Sequence, residues 1–358
     1  MSVRAINSLK RRGGTVALRD LADLASVDIS TVSRALNDDP RVNPDRAKHI
    51  RKLAEQVGYR PRPLRSKSTR SIGVVLASSD PTRIDGDFLG RVAWAAQRVL
   101  AERRLHVNLE CIERSSSANL PLVVAQNRVD GVLIGGHPPE ELVAKIVALG
   151  MPVVAINDSI ERLKVSCVRS NPEPAIRQAI LHLAARGHVE FCMFLNKLEY
   201  PTAKARYHSF EAALREIGIE PKPSWLVTDL PAEVSGGREG VRRVLASKSV
   251  PTAILCENDW MALGAIQELQ QQGLRVPRDV SVVGHDDLWI CEQMEPRLTS
   301  IHRNESDLVT KAVDLLLEEI DHVGPCERQE VLVEGHMAWR DSVAAAPDRV
   351  KAKEKVLV

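Results

Sequence analysis

The stretch LRDLADLASVDISTVSRALNDDPRVNPDRAKHI, residues 18–50, carries the pattern of three short helices. Apolar residues recur in it at helical spacing, and residues 26–27 leave only a tight turn between the first two helices. Asp28 and Asn43 stand at the starts of the second and third helices, where their side chains can accept free backbone N–H groups. Two helices joined by a tight turn, with a third behind them, predict a helix-turn-helix head over residues 16–60.

The second helix presents short polar side chains and one arginine, Arg34, on its outer face. Such a helix can enter a DNA major groove, where an arginine reaches a guanine edge or a phosphate. The charge distribution agrees, since residues 1–70 hold 16 Lys/Arg and 7 Asp/Glu, whereas the remaining residues hold 33 and 40. A basic head on an acidic body indicates a polyanionic partner for the head, and a solvated basic tail is the alternative.

The whole stretch resembles the DNA-binding head of the lac-repressor (LacI/GalR) family. The resemblance implies that Ile29, Ser30 and Arg34 read bases, with a thymine methyl as the expected contact of Ile29. It also implies that phosphates are held by Thr31, Ser33, Asn37, Arg41 and Asn43. Helix-surface hydroxyls without a DNA partner remain the alternative for the threonine and serine of that set. Ser26 replaces a turn glycine that is usual in the family, and a positive φ there costs about 1 kcal/mol.

Residues 61–71, PRPLRSKSTRS, are rich in proline, serine and basic residues, which indicates a linker. In the family a hinge helix usually forms here and inserts a leucine into the minor groove. Only 12 residues separate Tyr59 from Ile72, about one helical turn fewer than the family pattern. Leu64 is the candidate leucine, and two prolines leave little room for a helix before it. We therefore expect a truncated or missing hinge helix and modest bending of the operator.

From Ile72 onward, short apolar runs alternate with helical stretches. The strand-like runs, of which the first four read as buried, are 72–77, 106–112, 131–136, 152–157, 191–195, 224–229, 252–257 and 280–284. The helical stretches include 90–104, 139–150, 202–218, 236–247 and 260–273. This alternation predicts an α/β body over residues 72–345, with two doubly wound parallel-sheet lobes. Ligands of such sheets bind beyond the carboxyl ends of the strands, so we expect a cleft between the lobes.

The body resembles the same family and the periplasmic sugar-binding proteins that share its fold. The strings that carry this resemblance include VDGVLI (129–134), GMPVVAIND (150–158), LAARGH (183–188), ENDWMALGAIQEL (257–269), GLRVPRDVSVVGHDD (273–287) and PRLTSI (296–301). The resemblance implies that a small, sugar-like effector contacts Asn157, Asp158, Arg206, Asn258 and Asp286. Donors and acceptors fixed at strand ends are what a polyol requires.

Four positions depart from the family pattern of the ligand site. Asn157 stands where many members carry Asp, and Asp158 stands where many carry Arg. Ser170 replaces the Asp of an Asp-Asn pair, and Arg303 stands where a glutamine is common at the crossover. These exchanges change the charge pattern of the site, so we expect a ligand other than a familiar hexose.

Other roles remain open for several of these side chains. Asn258 can instead cap the following helix, and Asp286 can be a solvated loop carboxylate. The neighbouring Trp260 and Trp289 can stack on a sugar face or simply fill the core.

The sequence thus predicts a ligand-responsive DNA-binding regulator, a repressor that acts as a homodimer on a palindromic operator. A periplasmic-type solute-binding protein is the alternative, but it explains only the body, and residues 1–15 form a basic tail without the apolar core of a secretory signal. An enzyme is the third class. The sequence has no P-loop, no G-x-S-x-G, no H-E-x-x-H and no metal-spaced His/Cys cluster, so we expect neither catalysis nor a cofactor.

The remaining features favour a cytoplasmic location. No apolar run approaches the roughly 20 residues that a membrane helix needs. The six cysteines are scattered without a C-x-x-C pair, which predicts buried free thiols. The C-terminal tail, residues 346–358, has no heptad repeat that would indicate a tetramerising coiled coil.

Overall fold

A computed structural model describes residues 18–36, 42–57, 69–78, 88–114, 119–157, 160–163, 165–247, 250–322 and 327–347. Four residues with predicted contacts lie outside these ranges, namely Asn37, Arg41, Leu64 and Asp158. The basic tail and most of the linker and of the C-terminal tail also lie outside them. Ser33 belongs to a described helix, but its side chain is not among the described parts.

The head consists of three helices, α1 (Leu18–Ala25), α2 (Ile29–Leu36) and α3 (Pro44–Val57). Their shared core contains the fully buried side chains of Leu21, Val32, Ala35 and Ile50. The turn between α1 and α2 contains Ser26 at φ 52, so this serine takes the left-handed conformation that glycine usually supplies. The three predicted helices are confirmed, and they begin and end close to the expected residues.

Twelve strands follow in the described part of the body. They are β1 (Ser71–Ser78), β2 (His106–Glu113), β3 (Gly131–Gly135), β4 (Val153–Ile156), β5 (Ser166–Asn171), β6 (Phe191–Phe194), β7 (Leu226–Val227), β8 (Ala253–Cys256), β9 (Ser281–Asp286), β10 (Thr299–His302), β11 (Glu330–Glu334) and β12 (His336–Ala338). The helices among them are α4 (Phe88–Glu102), α5 (Leu122–Ala125), α6 (Glu140–Ala148), α7 (Glu173–Ala184), α8 (Pro201–Glu216), α9 (Val234–Ala246), α10 (Asp259–Gln271) and α11 (Glu305–Asp321). Short 3₁₀ turns lie at 161–163, 223–225 and 289–292.

The strands form two six-stranded sheets, one in each lobe. The order in lobe 1 is β11-β5-β4-β3-β1-β2, and the order in lobe 2 is β12-β10-β9-β8-β6-β7. All neighbours are parallel except β10 and β12. The chain passes between the lobes three times, after β5, after β10 and between β11 and β12. Helices cover both faces of each sheet, as parallel sheets require.

Several elements differ from the sequence-based expectation. Residues 106–112 were expected to form a buried strand, but β2 is an edge strand with a half-exposed surface, so that expectation is wrong. In 224–229 only two residues pair as a strand, because Trp225 lies in a 3₁₀ turn. Strands β5, β10, β11 and β12 were missed because they are short or carry polar residues. The cysteines that are both free and buried, as expected, are Cys167, Cys192, Cys256 and Cys291.

Helices α9 and α10 approach closely through glycines. A Cβ atom on Gly264 would lie 1.9 Å from the carbonyl oxygen of Val234. A Cβ atom on Gly237 would lie 1.8 Å from the carbonyl oxygen of Met261. Because both obstacles are backbone atoms, the two helices can keep this distance only with glycine at these positions.

We expect Gly264→Ala to lower the free energy of unfolding by about 1–3 kcal/mol, because the helices must separate. Gly73→Ala is the matched control, since a Cβ there meets side chains no closer than 3.4 Å. Thermal unfolding followed by circular dichroism compares the two variants. Equal melting temperatures would contradict the close-approach argument.

Candidate functional site

The outer face of α2 is the candidate DNA-reading surface. Ile29 is 45% exposed, although it is a large apolar side chain, and Ser30 and Arg34 are exposed beside it. The opposite face of the helix carries Val32 and Ala35, which are fully buried in the head. The amphipathic pattern therefore presents the three predicted base-reading residues on one side of a helix whose other side is anchored.

Asp28 organises the start of this helix. Its carboxylate accepts hydrogen bonds from the Ser30 hydroxyl at 2.5 Å and from the backbone N–H and the hydroxyl of Thr31 at 3.1 and 2.9 Å. The hydrogen bond from Ser30, followed by those from Thr31, lowers the pKa of Asp28 to about 2. The predicted helix cap is confirmed, and the two hydroxyls have an intramolecular partner that the sequence reading did not assign.

Asn43 caps α3 in the same manner. Its side-chain oxygen accepts from the backbone N–H groups of Asp45 and Arg46 at 2.9 and 3.3 Å. Arg51 of α3 donates two hydrogen bonds of 3.3 Å to the carbonyl oxygen of Ala35, near the C-terminus of α2. This contact fixes α2 on α3, and no motif in the sequence indicated it.

Three of the predicted effector residues, Asn157, Arg206 and Asp286, lie at the junction of the lobes. Asn157 follows β4 directly, and its side-chain oxygen accepts from the backbone N–H of Ser170 at 3.2 Å. Asp286 ends β9, and Arg303 comes directly after β10. Arg206 reaches the same place from α8. The carboxyl ends of parallel strands therefore meet here, as the fold class predicted.

Two buried ion pairs occupy this junction. Arg303 contacts Asp286 at 2.7 Å, and Arg206 contacts Glu257 at 3.6 Å. Burial raises the pKa of Asp286, and the charge of Arg303 opposes that rise. Burial also lowers the pKa of Arg303 to about 10, which leaves its guanidinium charged at neutral pH. The guanidinium also lies 3.4 Å from the ring centroid of Phe88 in α4.

Arg91 of α4 joins the two lobes directly. One terminal nitrogen donates to the carbonyl oxygens of Asp286 and Asp287, both at 2.8 Å, and the other contacts Glu305 at 2.7 Å. A guanidinium suits this role because its planar N–H groups can serve several acceptors at once. The sequence reading did not assign Arg91 a role, since its position within a helical stretch carries no motif.

A cavity of about 20 Å³ remains between the lobes. It is lined by Arg169, Arg206 and Arg303, by His285, by Asn157 and by two hydroxyl side chains. Burial holds the pKa of His285 well below its usual range, and the charges of Arg206 and Arg303 lower it further. This histidine is therefore neutral at physiological pH.

Two residues with predicted effector contacts do not line this cavity. The side-chain oxygen of Asn258 accepts from the backbone N–H of Met261 at 2.7 Å, and its amide donates to the carbonyl of Ala232 at 3.0 Å. It therefore caps α10, which was its alternative role. Asp286 is buried against Arg303 and is not a solvated loop carboxylate. Trp289 is 64% exposed and does not line the cavity either.

Asp259 lies beneath the junction without any solvent exposure. It accepts from the hydroxyl of Ser300 at 2.6 Å and from the backbone N–H of Leu288 at 2.7 Å. Burial, followed by repulsion from Asp286, raises the pKa of Asp259 to about 7. The stabilising effect of this raised pKa is complete below the unfolded-state value near 4 and is lost as pH rises through 7.

Asp259→Asn removes this ionisation. We expect the melting temperature of the parent, relative to that of the variant, to fall by a few degrees between pH 5 and pH 8. Asp229→Asn, in an exposed turn, serves as the control for the loss of a carboxylate. Thermal melts across this pH range test the argument, and a pH-independent difference for Asp259→Asn would overturn it.

Comparison with known proteins agrees with this architecture. The family model for bacterial regulatory proteins of the lacI family matches residues 17–62, and a periplasmic binding protein-like domain matches residues 180–343. The HTH-type transcriptional repressor PurR of Pasteurella multocida (strain Pm70) is 27% identical over 339 residues, which cover 91% of this chain and 98% of that protein.

Two solved structures extend the comparison to nearly the whole chain. The lac repressor dimer bound to operator and the anti-inducer ONPF superimposes with a TM-score of 0.68 and 25% identity, over 93% of this chain and 100% of that one. The complex of the transcriptional regulator CelR with cellobiose gives a TM-score of 0.71 at 24% identity, over 91% and 99% of the two chains. At 24% identity, the similarity to CelR shows a shared fold only.

A DNA-binding head joined to a two-lobed ligand-binding body defines the class of ligand-controlled transcription regulators. Within that class, the chain is similar to the LacI-family regulators, through the match of its head over residues 17–62 and through its PurR and lac-repressor relatives. The resemblance inferred from its sequence is thereby confirmed, as is the fold class. Across the described ranges, no helix has the length and apolar character needed to cross a membrane.

Proposed function

We propose that the chain is a cytoplasmic transcriptional repressor that binds a palindromic operator as a homodimer. A small, sugar-like effector in the cleft between the lobes controls its affinity for that operator. The domains assigned to these roles are a head over 16–60, a linker over 61–71 and a body over 72–345. The role is one of binding, and we propose no catalytic step and no cofactor.

The exposed face of α2 is the observation that carries this proposal. An apolar side chain such as Ile29 gains little from contact with water, but it fits against a thymine methyl in the major groove. Arg34 stands on the same face with room to reach a guanine. A solute-binding protein would have no use for this head, so the observation favours DNA binding over that alternative. Phosphate contacts are assigned to Thr31, Ser33, Asn37, Arg41 and Asn43.

Control by an effector follows from the position of the cleft. The cavity is lined by residues of both lobes, and Arg91 connects lobe 1 to the end of β9 in lobe 2. A ligand that binds one arrangement of the lobes more tightly than another shifts the protein toward that arrangement. We propose contacts from Asn157, Asp158 and Arg206 to this ligand, with Asn258 and Asp286 supporting the site through the partners described above.

We expect Arg34→Ala to weaken specific operator binding by about 1–3 kcal/mol, the cost of one bidentate guanine contact. The operator is first selected from random duplex DNA with the parent protein. Gel-shift titrations at matched salt then compare the parent with Arg34→Ala and with Arg297→Ala, an exposed arginine of the body. Equal affinity of the Arg34 variant and the parent would refute the base-reading assignment.

The linker gives a separate prediction about DNA bending. Leu64 lies outside the described residues, and the sequence around it leaves room for less than a full hinge helix. We expect a modest bend of the operator and a smaller loss of affinity for Leu64→Ala than for Arg34→Ala. Gel phasing measures the bend. A large bend that collapses in Leu64→Ala would show that the hinge inserts its leucine despite the short linker.

The proposed control by an effector is tested by titrating the protein–operator complex with a panel of sugars and sugar derivatives. A ligand that changes operator affinity in the parent but not in Arg206→Ala supports the proposal. A response that survives in Arg206→Ala at the same concentration places the effector elsewhere.

A further inference from the structure

Three arginines line the cavity between the lobes, and each is incompletely hydrogen-bonded. They are Arg169 of β5, Arg206 of α8 and Arg303 after β10. The Nε–H group of each is buried and has no hydrogen-bond partner. A buried donor without an acceptor is unfavourable, and more so on a charged group, so three of them around one cavity call for a shared acceptor.

One terminal nitrogen of each arginine forms an ion pair with a carboxylate. Arg303 pairs with Asp286 at 2.7 Å, Arg206 pairs with Glu257 at 3.6 Å, and Arg169 pairs with Glu330. None of these three carboxylates lines the cavity. Each guanidinium is therefore paired through one terminal nitrogen, while its Nε–H has no partner in the protein.

The surface of the cavity is consequently cationic and rich in donors. Among the described residues that line it, three are arginines and none is an aspartate or a glutamate. The side-chain oxygen of Asn157, which might have accepted from a ligand hydroxyl, already accepts from the backbone N–H of Ser170. A neutral polyol needs carboxylate or carbonyl acceptors for its own hydroxyl donors, and this lining offers few.

We propose that the effector is an anion whose carboxylate or phosphate group accepts hydrogen bonds from the Nε–H groups of Arg169, Arg206 and Arg303. The inference rests on the proposed function, and it names the chemical class of the ligand. Oxyanions match guanidinium donors in both charge and geometry, and such charge-assisted bonds are the strongest that side chains make.

The same placement gives the anion a regulatory role. Arg169 belongs to the sheet of lobe 1, Arg206 belongs to lobe 2, and Arg303 lies where the chain crosses between them. An oxyanion bound to all three ties the lobes together, next to the contact that Arg91 makes with the end of β9. The ligand charge thereby favours the closed arrangement of the lobes. Because the ligand then binds the closed arrangement more tightly than an open one, it can shift the protein between the two.

The test uses the full chain and compares a neutral sugar with its acidic derivatives and with a simple anion. Glucose, gluconate, glucose 6-phosphate and inorganic phosphate are compared at constant ionic strength, by thermal shift and by calorimetric titration. We expect the acidic probes to raise the melting temperature at millimolar concentration and glucose to leave it unchanged, because only ligands of the native state stabilise it. Gluconate and glucose 6-phosphate separate a carboxylate site from a phosphate site.

Variants test which residues bind the acidic probe. Arg169→Gln should weaken binding of the acidic probe by roughly tenfold or more, since its partner Glu330 is partly exposed and tolerates the loss. Arg303→Gln combined with Asp286→Asn removes the second arginine without leaving a buried charge unpaired. Arg297→Gln, which is exposed and pairs with Asp341 on the surface, should bind like the parent.

The outcomes separate this inference from the proposed function. It is overturned if glucose stabilises as well as its acids, if no acidic probe stabilises, or if Arg169→Gln binds like the parent. A neutral polyol that binds in the cleft and changes operator affinity overturns it and leaves the proposed function standing. Acid binding that depends on these arginines but never changes operator affinity leaves the anion site standing and refutes the proposed function.

Discussion

The ion pair between Arg303 and Asp286 lies at the junction of the lobes, beside the crossover that follows β10. Asp286 ends the strand β9, and Arg303 begins the crossover from β10 to α11. Arg91 holds the backbone on one side of the pair, and Phe88 packs on the guanidinium from the other lobe. Removal of either charged partner would leave the other buried without compensation, which is far more destabilising than replacement of both. The geometry of the cleft therefore depends on this pair.

The pair also determines which chemistry the cleft offers to a ligand. Because Asp286 is occupied by Arg303, it does not present the free carboxylate that would bind the hydroxyls of a polyol. The junction instead presents guanidinium edges and a neutral His285. Similarity of fold to a regulator such as the CelR–cellobiose complex therefore does not identify the ligand of this chain, since a fold tolerates many different sites.

The head depends on local interactions to a greater extent than the body does. Asp28 and Asn43 cap its helices through hydrogen bonds to residues two or three positions away. Interactions of such short range are readable from sequence, because residue type and spacing suffice to define them. The contact of Arg51 with Ala35 spans 16 residues and was not readable in this way.

The sequence by itself determined the helix-turn-helix head, the alternation of strands and helices, and the strand ends at which Asn157 and Asp286 stand. Those features depend on periodicity, caps and motif order, which are local. Only the tertiary structure decided that Asn258 caps a helix and that β2 is an edge strand. It also decided that Arg169 lines the cavity and that Arg91 contacts the opposite lobe. These outcomes depend on which distant groups compete for a partner in a buried space, and spacing along the chain does not encode that competition.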